Sequence, residues 1–311
     1  MKKFVCGTLC GIVALTASNL MAEEKKKPVI SPKGPVNSVD GILFPKGQVC
    51  LTYKMVAFNK DELYDGNSDL TAKPNAPIEK EVWVHNFLVR YGLVKNVEIK
   101  MKVPFKDLEL TRQNPVTKPE FSNSGLGDAT VWGRYQILSQ KRKDPVFWWA
   151  GVGLNVPTGE TDAKTNGKLD PMTMQVGDGS WDPIIDTGIS KKIDKLKLSA
   201  YASYTFSTEG DNDYRWGDTF QFDISAVYCL NKYLALDLEL NNYWKDENED
   251  SDKDISNTGG FQTYLTPGVH FMMPGTKHHL DFGVPITIYR DLNGPQLSED
   301  YRVIVKAVLV F

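Results

Sequence analysis

Charged side chains recur in this sequence where a buried strand would carry none. Arg90, Glu98, Lys100, Lys102, Arg134, Lys197, Asp223, Asp237, Glu239, Arg302 and Lys306 each sit between apolar or small neighbours. A charge taken out of bulk water needs a partner or water of its own. Both signs are present, and Lys54, Asp128, Asp186 and Asp281 add to the same set. Two chemistries follow. These groups line a hydrated passage and set its selectivity, or they pair with one another and close it. Aromatic rings share the alternation: Trp132, Trp149, Tyr201 and Tyr264, with Phe147. Rings beside polar groups suit contact with a small amphipathic or aromatic ligand. Space filling is the alternative.

No catalytic set and no cofactor are expected. Barrel phospholipases use a His-x-Ser pair, but His85 is followed by Asn86 and Phe87, and His270 by Phe271 and Met272. Gly-x-Ser-x-Gly is absent. His278 and His279 fall in a short turn. The segment Lys245–Gly260 is rich in Asp and Glu but lacks the spacing and terminal Glu of an EF-hand, so no metal is assigned. With 36 basic against 39 acidic residues and a net charge of −3, a nucleic-acid partner is excluded.

The elements that must position these residues are strands. About twelve segments alternate apolar and polar residues, each near the ten residues that cross a bilayer at a tilt. Val97, Ile99, Met101, Val103 and Phe105 alternate with Glu98, Lys100 and Lys102. Leu234, Leu236, Leu238 and Leu240 alternate with Asp237, Glu239 and Asn241. The remaining segments fall near 47–58, 81–92, 128–138, 147–156, 183–191, 196–206, 220–228, 260–272, 279–289 and 300–311. Connections alternate between long (near 59–80, 106–127, 157–182, 207–217, 245–259 and 290–299) and short. Short periplasmic turns, long external loops and an even strand count define an outer-membrane barrel. The fold class is therefore all-β, an antiparallel transmembrane β-barrel of about twelve strands. The mean hydropathy of −0.33 is compatible with it, because only one face of each strand meets lipid.

Residues 1–22 read as a signal peptide, 23–46 as a periplasmic leader or small plug, and 47–311 as the barrel. Tyr91, Trp148, Tyr233, Trp244 and Tyr289 suit interfacial girdles. Cys50 and Cys229 fall on strands too far apart to bond. Pro267 and Gly268 on the tenth strand face Gly283 and Pro285 on the eleventh. Prolines donate no ladder hydrogen bond, so a bulge or a lateral opening is expected there. The strand ending at Phe311 closes the barrel and presents a signal to the barrel-assembly machinery. Other expected partners are outer-membrane lipid, lipopolysaccharide and small hydrophobic or aromatic solutes.

Three blocks carry a resemblance: Gly125-Leu-Gly-Asp-Ala-Thr-Val-Trp-Gly-Arg-Tyr135, Gly153-Leu-Asn-Val-Pro-Thr-Gly159 with Asp162 and Ala163, and Gly177-Asp-Gly-Ser-Trp-Asp-Pro183. Together they resemble the outer-membrane family of the MetA-pathway of phenol degradation, itself distantly similar to fatty-acid and aromatic-hydrocarbon channels. The likeness runs from about Leu43 to the C-terminus. It implies a bacterial outer-membrane channel admitting small amphipathic or aromatic solutes passively. A closed barrel acting through its loops as an adhesin or envelope-structural protein is the alternative. The blocks themselves read as loop chemistry that shapes the external mouth.

Overall fold

The computed structural model describes residues 34–71, 77–112 and 120–311. The expected signal peptide 1–22 and residues 23–33 of the expected leader lie outside the described residues. Period-two alternation folds as expected, into a closed antiparallel barrel of twelve strands. In chain order these are β1 (Val49–Lys60), β2 (Pro77–Val94), β3 (Val97–Arg112), β4 (Glu120–Leu126 and Ala129–Leu138), β5 (Phe147–Val156) and β6 (Asp182–Ile193). They continue as β7 (Leu196–Thr205), β8 (Thr219–Cys229), β9 (Leu234–Lys245), β10 (Gly260–Met272), β11 (His279–Gly283 and Ile286–Ser298) and β12 (Arg302–Val310). Each strand pairs with its sequence neighbours. β12 closes on β1 with Cys50 opposite Val310 and Phe58 opposite Arg302. Cys50 and Cys229 are both buried and form no disulfide.

The outer face is apolar. Val152, Ile185, Ile224, Leu236 and Leu238 are exposed, where a water-soluble sheet would hide them. Tyr91, Trp148, Tyr233 and Tyr289 are exposed, and Trp244 is half-buried between Phe220 and Phe261.

Three connections expected to be long loops, 59–80, 106–127 and 290–299, are largely strand. In the segment taken as 106–127, β3 runs to Arg112 and β4 re-enters at Glu120, with Phe105 opposite Leu126 and Leu110 opposite Phe121. Beyond the membrane the pattern inverts. Leu108 and Leu110 turn inward and are buried, while Asp107 and Glu109 turn outward. The segment 290–299 is strand through Ser298. There the β1–β12 register carries on to Glu62 opposite Ser298 and Tyr64 opposite Gln296, in a short strand Glu62–Gly66.

Candidate functional site

Alternation sends every second side chain of each strand into the lumen, and the expected inward set is found there. Trp132, Phe147, Trp149, Tyr201 and Tyr264 are all buried. So are Glu98, Arg134, Lys197, Asp223, Asp237 and Glu239. The structure also answers how these charges are satisfied, and the answer differs between the two ends of the barrel.

Residues 34–46 run through the lumen, bonded to its walls along their backbone. The Val36 N–H donates to Asp237 at 2.7 Å. The Asn37 and Ser38 N–H groups donate to the two oxygens of Glu239 at 2.6 and 2.8 Å. The Phe44 N–H donates to Glu98 at 2.9 Å, and the Leu43 N–H to Gln136 at 2.9 Å. Wall cations answer the carbonyls. Lys306 donates to Pro35 O at 2.7 Å, Lys54 to Asn37 O at 3.0 Å and Arg90 to Ile42 O at 3.2 Å. Lys197 holds the Asp40 carboxylate at 2.6 Å. Seven of the eleven singled-out charges therefore touch this segment directly: Arg90, Glu98, Lys197, Asp237, Glu239 and Lys306, and Asp223 through the Ser38 side chain. Charge-assisted hydrogen bonds of this kind are about twice as strong as neutral ones.

The other charges pair across the wall. Arg134 and Asp186 form a fully buried ion pair at 2.5 Å, and the Arg134 guanidinium lies 4.2 Å from the Trp149 ring centre. Arg90 is bidentate on Glu98. Lys306 reaches Asp281 at 3.0 Å, and Asp281 accepts His270 Nδ1 at 2.8 Å. Arg302 pairs with Glu299 and donates to the Tyr264 hydroxyl at 2.7 Å. Asp223 accepts from Gln221 at 2.7 Å. Lys100 and Lys102 differ. Lys100 lies 4.1 Å and Lys102 5.8 Å from the Trp132 ring, and neither has a carboxylate among the described residues within ion-pair distance.

The Pro/Gly cluster has the expected register, with Gly268 opposite Gly283 and Phe271 opposite Leu280. β11 breaks at Val284-Pro285, yet the Val284 N–H still donates to Pro267 O at 3.1 Å and the Arg302 N–H to Pro285 O at 2.8 Å. The ladder's register shift lies one step further up, between Thr263 and Tyr264. The glycines have a reason invisible in the strand pattern. A Cβ added at either would stand 2.8 Å from Val36 of the inserted segment.

Above that segment the lumen opens into a chamber of about 390 Å³. Of the four rings expected to contact a ligand, Trp132 and Tyr201 line it. Trp149 does not. It is wholly buried, packed with Leu43 and Tyr201, and donates to Asp40 O at 2.8 Å. Tyr264 also lies outside the lining, bonded to Glu299 at 2.8 Å. Sequence reasoning missed Tyr243 and Trp216, which do line the chamber. Tyr243 continues the inward alternation of Asp237, Glu239 and Asn241. Trp216 arrives from a loop, where no periodicity could point to it.

The external mouth is built by the three sequence blocks, joined through one carboxylate. Asp128 Oδ1 accepts the Thr158 and Gly159 N–H groups, both at 2.9 Å, and Oδ2 accepts the Asp178 N–H at 2.7 Å. The clasp folds the loop after β5 inward, where Met174 and Val176 pack on Val82, Leu108 and Leu110. Burial, and then the neighbouring Asp128 carboxylate, push the Asp178 carboxyl up to about 7. Among the described residues no group of three or more His, Cys, Asp or Glu side chains is placed to hold a metal ion.

The fold has solved counterparts. An outer membrane channel from Pseudomonas putida F1 matches with a TM-score of 0.66 and 16% identity, over 89% of this chain and 100% of that one. The P. putida toluene transporter TodX matches with a TM-score of 0.49 and 9% identity, over 86% of this chain and 91% of that one. No curated protein sequence matches the chain. The profile of the MetA-pathway of phenol degradation family matches residues 63–293, about three quarters of the sequence, and contains all three blocks in full, with the mouth clasp centred on Asp128 wholly inside it. The chain belongs to the MetA-pathway of phenol degradation family.

Proposed function

We propose that this protein is a bacterial outer-membrane channel that passively admits small amphipathic or aromatic solutes. One observation carries the proposal: a ring-lined chamber of about 390 Å³ beneath a structured external mouth, in a barrel whose outer face is apolar. That volume lies in the range of small-molecule sites. Solute enters at the Asp128 clasp, rests among Trp132, Tyr201 and Tyr243, and leaves past residues 34–46. A lateral exit at the level of Pro267 and Pro285 belongs to the same proposal. The partners are outer-membrane lipid, lipopolysaccharide and the solute itself, with insertion by the barrel-assembly machinery through the strand ending at Phe311. Catalysis has no part in it.

A second function is favoured by the filled lower lumen. There the wall charges are paired with one another and with residues 34–46, as a closed barrel with an adhesin or envelope-structural role requires. Single-channel conductance of the refolded protein in planar bilayers separates the two. Discrete steps that phenol or a fatty acid blocks support the channel. Silence from folded protein supports the closed barrel. The lateral exit is dropped if Pro285→Val leaves solute uptake unchanged.

A further inference from the structure

Two ammoniums enter the chamber from different strands. Lys102 enters from β3 and Lys245 from the upper end of β9. Lys102 Nζ lies 5.8 Å from the Trp132 ring centre, and Lys245 Nζ lies 4.2 Å from the Trp216 ring centre. Neither ammonium has a carboxylate oxygen within 4.0 Å or a hydrogen-bond acceptor among the described residues.

The chamber's acids are already engaged. Asp178 accepts from the Ser180 N–H at 3.0 Å and from Asn155 at 3.2 Å. Asp182 accepts from Ser180 Oγ at 2.8 Å and from the Thr208 N–H at 2.9 Å. The charged groups of the chamber left without a hydrogen-bond partner are therefore the two ammoniums, and they stand beside flat aromatic walls. Elsewhere in the lumen Arg90, Arg134, Lys197, Arg302 and Lys306 are each paired with a carboxylate, and Lys100, behind the chamber lining, rests on the Trp132 ring.

We propose that the chamber selects a monoaromatic carboxylate of the benzoate type, its ring against Trp132 and Tyr243 and its carboxylate between Lys102 and Lys245. This rests on the channel role proposed above and narrows its solute class. A neutral hydrocarbon of equal size would fill the same volume but leave both ammoniums without an acceptor. An aliphatic acid would satisfy the charge but not the rings. An anionic acceptor on an aromatic body satisfies both, and a charged hydrogen bond distinguishes it from a neutral isostere by about tenfold or more.

The test is binding to intact refolded protein, read by isothermal titration, with benzoate, benzyl alcohol and acetate as probes. Benzoate is expected to bind at least about tenfold more tightly than benzyl alcohol, whose size and ring are nearly the same. Added salt is expected to weaken benzoate binding and leave benzyl alcohol binding unchanged, a measurement that needs no variant. In the double variant Lys102→Gln, Lys245→Gln, shown folded by heat-modifiable migration, the preference for benzoate is expected to vanish. Equal affinity for benzoate and benzyl alcohol, or a preference that survives the double substitution, overturns the carboxylate assignment while leaving an aromatic channel standing. Failure of both aromatic probes to bind, with silent bilayers, overturns the channel role and the assignment together.

Discussion

Glu239→Gln is the sharpest test of what holds residues 34–46 inside the barrel. The wild-type carboxylate accepts two N–H groups, from Asn37 at 2.6 Å and from Ser38 at 2.8 Å. Gln keeps one acceptor oxygen and turns an amide donor toward the other N–H. One charged hydrogen bond becomes neutral, and the second is lost against an opposing donor. Hydrogen bonds to charged groups contribute about 1.5–3 kcal/mol each, so docking is weakened by about 3 kcal/mol. That corresponds to roughly a hundredfold rise in the undocked population. The barrel ladder is untouched, because Glu239 pairs with Thr266 and Ser225 through its backbone alone. The assay is the maleimide labelling rate at Val39→Cys, read at that position by mass spectrometry. Val39 packs, partly buried, on the Leu43, Trp149 and Tyr201 cluster, so its labelling quickens when the segment lifts. An equal rate with Glu239 and with Gln would refute the carboxylate anchor.

Two further outcomes follow from the geometry. Arg134→Met leaves Asp186 charged and unpartnered in a fully buried site, so the barrel should lose about 3–5 kcal/mol in a urea unfolding series; a loss below about 1 kcal/mol would show that water reaches the pair. The mouth clasp should depend on pH through Asp178. Its folded-state carboxyl is raised from the ordinary 3.8 to about 7, so its contribution is complete below about 3.8 and fades as pH rises through about 7. Proteolysis of the loop 157–181 should therefore quicken between pH 5 and pH 8, and Asp178→Asn should flatten that profile; identical profiles in the two proteins count against it.

The barrel was legible because period-two alternation is a local property. Leu234 to Asn241 assigns its own faces, and pairing geometry follows from the faces. The same rule placed Arg134 and Asp223 inside without knowing their partners. It failed where the environment changes along a strand. At Leu108 and Leu110 the outer medium is water, so the apolar face reverses, and a reversed alternation does not continue the membrane pattern of the strand before it. The inserted segment was hidden for a different reason. Val36 to Phe44 has no periodicity, and most of its anchors are backbone N–H and C=O groups, which every sequence possesses. Only the walls carry a signal: Asp237 and Glu239 at alternate positions, and glycines at 268 and 283 where strand residues normally pack. A luminal charge in a barrel sequence therefore does not by itself indicate a pore. Here the same alternation yields bound charges below, where backbone polar groups of the chain itself meet them, and unbound Lys102 and Lys245 above. The boundary between the two sets is what separates the part of the lumen that is structure from the part that can receive a solute.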